Sequence, residues 1–210
     1  MAEINIELPA GISVAQRADW RRVADITGEA FSEDPVNRWA FGNEDAIRAC
    51  FRVMARDVYV GRGLSHILEN DGATMWTLPG QTTDMGLAAS LRFATAMLFR
   101  GSKGSVKRAH HLGALMEKHH PKDPHAYLFT IGARPSSRGK GVGKALLAPV
   151  LSACDRASVP IYLENSNPAN SGFYRSHGFE TMTTFEVEDG GPVMEPMWRS
   201  PKTQISDVGD

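Results

Sequence analysis

Gly139, Gly141 and Gly143 alternate with Lys140 and Val142, and Arg138 and Lys144 flank them. Glycine lets a backbone curl close to a ligand. The free amides that open a following helix lie at its positive dipole end and suit phosphate oxygens. Arg134, Arg138, Lys140 and Lys144 add charge, so the segment is built for a polyanionic cofactor held without metal. Spacing excludes two nucleotide-binding patterns. A P-loop needs a glycine where Arg138 stands and a Ser or Thr where Ala145 stands. The dinucleotide fingerprint needs its third glycine at Lys144.

Histidine is the second constellation. His110, His111, His119, His120 and His125 fall within sixteen residues. The pairs are adjacent rather than spaced i, i+4, and neither cysteine is near, which argues against a metal site. A solvated or substrate-lining role is expected, with His120 or His125 able to relay a proton near a cleft. Cys154 reads as packing, since no His–acid partner accompanies it.

The elements that must position these residues follow from periodicity. A helix is expected near Asp19–Phe31, with Asp19 as N-cap and Trp20, Val23, Ile26, Ala30 and Phe31 on one stripe. A second is expected near Asp45–Val60, carrying Ile47, Phe51, Met54 and Val58. Runs 64–69 and 73–78 read as a hairpin, with Asp71-Gly72 supplying the positive backbone angles of its turn. Residues 81–124 read as two helices broken near 100–104. The apolar run 127–133, bounded by Pro124 and Pro135, reads as a buried central strand. A helix over 141–156 follows, interrupted by Pro149, which should kink it. Then come a strand over 160–164, a helix over 168–177 and an antiparallel pair over 179–187 and 193–198. Residues up to about Gly11 and the tail after Arg199 read as frayed.

The glycine loop resembles the acetyl-coenzyme A signature of the GNAT acetyltransferases, Arg/Gln-x-x-Gly-x-Gly/Ala, here Arg138 through Gly143. Residues 163–179, with Asn170-Ser171-Gly172-Phe173-Tyr174 ahead of Gly178-Phe179, resemble the family's second half-site. Residues 120–199 are similar to its puromycin-acetyltransferase-like branch, and 30–35 match more loosely. The resemblance implies an α/β fold, a single GNAT-like domain over 1–210, ordered over about 12–199. Its mixed, mostly antiparallel sheet would have a splayed central parallel pair and helices on both faces. It implies a variable helical insert at 81–124 and an acetyl-CoA-binding core at 126–199.

Acetyl-CoA would be the co-substrate, with no metal. The backbone of Ile131, Gly132 and Ala133 would pair with the pantetheine arm. Arg138, Gly139, Lys140, Gly141, Val142, Gly143 and Lys144 would hold the pyrophosphate. Asn167 or Asn170 would contact the arm or cap the helix. Tyr174 is the candidate proton donor to the departing thiolate, against a purely structural aromatic whose hydroxyl is satisfied by backbone. Glu164 is the candidate base or amine anchor, against a structural acid. Pocket walls would come from residues 31–63, the strand around Trp76 and the 81–124 insert.

The implied reaction is direct acetyl transfer from acetyl-CoA to an amine of a small molecule in a ternary complex. Two alternatives stay open: acetylation of a protein lysine or N-terminus, and a non-catalytic acyl-CoA-binding module. Composition supports a folded domain, with 42% apolar and 22% charged residues across 210. A net charge of −1 argues against a nucleic-acid or anionic-membrane coat. Two cysteines, no signal-like start and an apolar stretch (87–99) cut by Arg92 point to the cytoplasm. A monomer or homodimer is expected, with a small-molecule amine as its partner.

Overall fold

The computed structural model describes residues 4–82 and 84–202; the last eight positions of the tail, expected to fray, lie outside them. The strands are β1 (Ile12–Val14), β2 (Leu64–Leu68), β3 (Gly72–Thr77), β4 (Ala126–Ala133), β5 (Ile161–Asn165), β6 (Glu180–Thr181), β7 (Phe185–Glu186) and β8 (Val193–Arg199). They form one sheet in the order β1-β2-β3-β4-β5-β8-β6, with β7 also on β8. Every pairing is antiparallel except β4 with β5. The helices are α1 (Trp20–Ala30), α2 (Pro35–Phe41), α3 (Glu44–Val53), α4 (Leu87–Arg100), α5 (Ser105–His119), α6 (Val142–Arg156) and α7 (Ser171–Ser176).

Side-chain alternation gives the sheet two buried faces. On one, Leu128, Ile161 and Leu163 meet Leu147, Val150 and Cys154 of α6. On the other, Met75 and Ala73 meet Val23 and Ile26 of α1 and Ile47 and Phe51 of α3. Helix α6 runs through Pro149 without interruption, and Pro149 is itself buried.

Several elements differ from the sequence expectation. The single helix foreseen over 45–60 is α3 followed by a π-helical turn, Met54–Tyr59, which stacks the Tyr59 ring on Phe129 at 4.5 Å. Helix α2 and strand β1 are too short to leave a periodic signature. The final pair is divided, because β8 is opposed by β6 and β7 in turn rather than by one strand.

The hairpin forms, but its positive φ falls on Glu69 (43°) and not on Gly72. Gly72 is a strand residue whose lack of a side chain serves packing. A Cβ there would lie 2.4 Å from Val142 Cγ1 and 2.9 Å from Leu146 Cδ1. Trp76 also departs from expectation: it is fully buried on the α6 face and lines no acceptor cavity.

Candidate active site

The parallel pair β4–β5 is in register only over Ala126–Leu128 with Ile161–Leu163. Opposite Met75 stands Thr130, and opposite Trp76 stands Leu128, so Phe129 is an extra residue in β4. Such a bulge bends its strand. Beyond it β4 stays paired to β3 as far as Ala133 but has left β5. The β5-facing edge of residues 129–133 is therefore without a strand partner, and the gap opens beside Glu164.

A groove of about 620 Å³ runs outward from this gap. It is lined by Ile131, Gly132 and Ala133, by Arg138, Gly139, Gly141, Val142, Gly143 and Lys144, and by Asn167, Asn170 and Tyr174. Lys140 is exposed and lies outside that lining. Gly139 and Gly141 adopt φ of +75° and +81°, and nothing lies within 4 Å of where a Cβ would sit on either. This is the left-handed region that glycine occupies without strain. Gly141 is also the N-cap of α6 and offers no side-chain cap, leaving the first-turn amides to a ligand.

Arg138 is held to the rim by a 3.0 Å bond from its guanidinium to Ala30 O. Arg134 departs from the expected basic cluster. Its guanidinium is engaged by the Glu29 carboxylate and by Asn70 O at 2.8 Å. The residues present thus fit an anionic, pantetheine-like cofactor by chemistry and shape.

On the other side of the gap lies a cavity of about 180 Å³. Its walls are largely apolar, including Phe31, Phe41, Phe51, Met54, Phe93 and Met116. Phe31, Asn170 and Tyr174 line both cavity and groove, so the two meet at the splay. The Tyr174 ring is buried, and its hydroxyl has no hydrogen-bond partner among the described residues. Burial, and then the charge of Asp34, push that phenol upward, so it remains a proton donor.

The two asparagines are distinguished by their bonds. Asn167 spends its side-chain oxygen on Ala169 N at 3.0 Å, capping the turn over Pro168–Asn170. The Asn170 amide makes no hydrogen bond among the described residues and faces both spaces.

Glu164, on β5, lines the cavity with a side chain only 2% exposed. Its Oε1 is buried without a hydrogen-bond partner among the described residues. His120 Nδ1 stands 3.5 Å from that oxygen, and His120 Nε2 lies 3.1 Å from His125 Nε2. The rings of Tyr127 and Tyr162 stand edge-on to His120, each at 4.9 Å. Burial and then the Glu164 charge push both phenols up.

No group of three His, Cys, Asp or Glu among the described residues could hold a metal. Both cysteines are buried, and burial pushes each thiol up to about 12, far from a nucleophilic thiolate.

Sequence reasoning missed the supports. Glu195 on β8 accepts from Asn165 at 2.9 Å, Arg175 at 2.9 Å, Ser171 and Thr181, which fastens α7, and so Tyr174, to the sheet. Asp34 caps α2 through Asn37 N at 2.9 Å and accepts from Ser166 Oγ at 2.6 Å. Asp34 before Pro35 was a legible cap signal. The Glu195 network pairs residues up to 30 positions apart and left none.

Residues 107–181 match the family model of the acetyltransferase (GNAT) domain. An uncharacterized N-acetyltransferase of Schizosaccharomyces pombe is 34% identical over 86 residues, which is 40% of this chain and 35% of that protein. The match thus spans about a third of that relative's length. Among solved structures, one from Corynebacterium glutamicum, described as histone acetyltransferase HPA2 and related acetyltransferase, aligns with a TM-score of 0.66 at 25% identity. It covers 92% of this chain and 97% of that one. Arylalkylamine N-acetyltransferase 2 of Aedes aegypti shares the fold, with a TM-score of 0.60 at 13% identity over 91% of this chain and all of that one (100%). Residues 107–181 are therefore similar to a GNAT acetyltransferase domain, and the described chain shares the fold of these acetyltransferase structures.

Proposed function

We propose that this chain transfers the acetyl group of acetyl-CoA to the amine of a small apolar molecule, by direct attack in a ternary complex. One observation carries the reading. A buried carboxylate, Glu164, with one oxygen unpartnered among the described residues, lines the same cavity as the Tyr174 hydroxyl, at the mouth of the strand gap.

Acetyl-CoA supplies the activated acyl thioester. Residues Arg138, Gly139, Gly141, Val142, Gly143 and Lys144 would hold its pyrophosphate, with Lys140 adding only long-range charge. The free edge of Ile131, Gly132 and Ala133 and the Asn170 amide would hold its arm. Glu164 takes a proton from the incoming amine, whose cationic form it also attracts into an apolar chamber. Tyr174 Oη holds a proton for the departing thiolate.

The apolar cavity walls favour an amine with an aromatic or aliphatic body. The resemblance to the puromycin-acetyltransferase-like branch supports a small acceptor too. A chamber of about 180 Å³ behind α2, α4 and α5 suits such a molecule better than a peptide chain.

The test is release of free thiol from acetyl-CoA over a panel of arylalkylamines, aminonucleosides, polyamines, amino acids and peptides. Turnover is expected with apolar amines and should fall about a hundredfold or more in Glu164→Gln. Binding of acetyl-CoA with no turnover on any amine would overturn the reading in favour of an acyl-CoA-binding module. Preference for peptides would make it a protein acetyltransferase.

A further inference from the structure

We infer that His120 and His125 form a proton exit from Glu164 to a separate solvent pocket. This deepens, and rests on, the acetyl-transfer reading. The pocket, about 300 Å³, is lined by Leu78, Gln81, Lys122, His120, His125 and Tyr127 among others. It shares no lining residue with the acceptor cavity or the cofactor groove. Glu164 lies on one side of the histidine pair and water on the other. The side chains become more accessible along the path, from 2% at Glu164 to 32% at His120.

Hydrogen-bond logic fixes where the hydrogens sit. His125 Nδ1 is 2.6 Å from Asp123 O. A carbonyl only accepts, so Nδ1 carries the hydrogen and Nε2 of the neutral ring is left as acceptor. His120 Nε2 must then donate across the 3.1 Å gap. That leaves the lone pair of His120 Nδ1 facing Glu164 Oε1 at 3.5 Å. Two acceptors face each other, and the group missing between them is one proton.

Glu164 acquires that proton when it deprotonates the amine. It passes it to His120 Nδ1, His120 gives its Nε2 hydrogen to His125 Nε2, and His125 releases its Nδ1 hydrogen to pocket water. One proton enters and one leaves; exchange with water restores the original tautomers. The other titratable groups facing the pair are Tyr127 on β4, Tyr162 on β5 and Asp123 in the preceding loop. Burial lowers His125, which keeps it neutral and ready to accept. Neither histidine lines the cavity, so both act through Glu164.

The experiment uses an amine that turns over in the thiol-release assay and compares the wild type with His125→Ala and His120→Asn across pH. Near neutral pH both variants should lose about tenfold in kcat, with acceptor KM little changed. The deficit should shrink at alkaline pH, and free imidazole should restore His125→Ala. Added to Glu164→Gln, His125→Ala should cost nothing further, since the two act in series. Superimposable pH profiles with no imidazole response overturn the relay. So does a uniform loss at every pH accompanied by a lowered Tm, which would make the histidines structural. A wild type that binds acetyl-CoA yet acetylates no amine removes the acetyl-transfer reading, and the relay with it.

Discussion

Ser166 Oγ donates to Asp34 Oδ2 at 2.6 Å, joining the segment that follows β5 to the cap of α2 across 132 positions. The acid is buried, and burial dominates its shift, raising its pKa despite the bonds from Ser166 and Asn37. A carboxyl raised in the folded state is a cost once it ionises: the stability held below its unfolded value is lost as pH rises through the folded value. Asp34→Asn keeps an acceptor for Asn37 N and carries no charge. It should leave the neutral-pH Tm unchanged or higher, whereas Asp34→Ala loses the cap and about 1–2 kcal/mol. Thermal melts of the two variants check this.

Tyr174 shares a wall with both spaces, so removing its hydroxyl should act on turnover rather than on binding. Tyr174→Phe should lower kcat by roughly tenfold or more while the KM for acetyl-CoA stays near the wild-type value. Steady-state kinetics with both substrates varied separates the two effects. A raised KM with kcat intact would return Tyr174 to a packing role.

At Gly141 an added methyl meets empty space, so the cost of Gly141→Ala is that of the left-handed backbone alone, about 1–2 kcal/mol. Relaxing that strain rotates the amides that open α6. The KM for acetyl-CoA should rise severalfold with little change in kcat. Raising ionic strength should weaken the cofactor further in wild type and variant alike, because Arg138 and Lys144 are exposed charges.

Gly72 makes the opposite case, since a Cβ there collides with Val142 and Leu146. Gly72→Ala should destabilise the protein by about 1–3 kcal/mol through overpacking. Denaturant midpoints measure it. A loss below about half a kcal/mol would mean that α6 moves freely from the sheet.

His66 is fully buried on β2, and neither ring nitrogen has a partner among the described residues. Burial lowers it to about 4, against 6.5 for a free imidazole. The folded state holds it neutral, so this contribution is complete above about pH 6.5 and is lost as pH falls toward 4. The loss amounts to at most roughly 3 kcal/mol. His66→Leu should flatten that part of the pH–stability curve without lowering stability at neutral pH, as no hydrogen bond is forfeited. Urea unfolding at several pH values tests both statements.

Sequence by itself determined the parts of this protein whose signals are local. The run 127–133 reads as a buried strand because its apolar residues are contiguous and bounded by prolines. The glycine-rich loop over 138–144 is legible because alternating glycines and flanking cations record backbone and charge requirements directly in residue type. Tyr174 and Glu164 stand out as candidates through the resemblance of the residues after that loop to the GNAT acetyltransferases. What tertiary structure alone decided involves residues distant in sequence. The bulge at Phe129 parts two strands only because β3 fixes the register on the other side. Arg134, counted from sequence among the phosphate-binding cations, is claimed by Glu29 and Asn70. Gly72, read as a turn glycine, is a contact glycine because α6 crosses above it. His120 and His125 read from sequence as solvated or substrate-lining, with either able to relay a proton near a cleft, but without partners. Folding sets one against a buried carboxylate and the other against a solvent pocket. Residue type and spacing report what a backbone segment can do alone, whereas a side chain's partner is chosen by the packing of elements far apart in the chain.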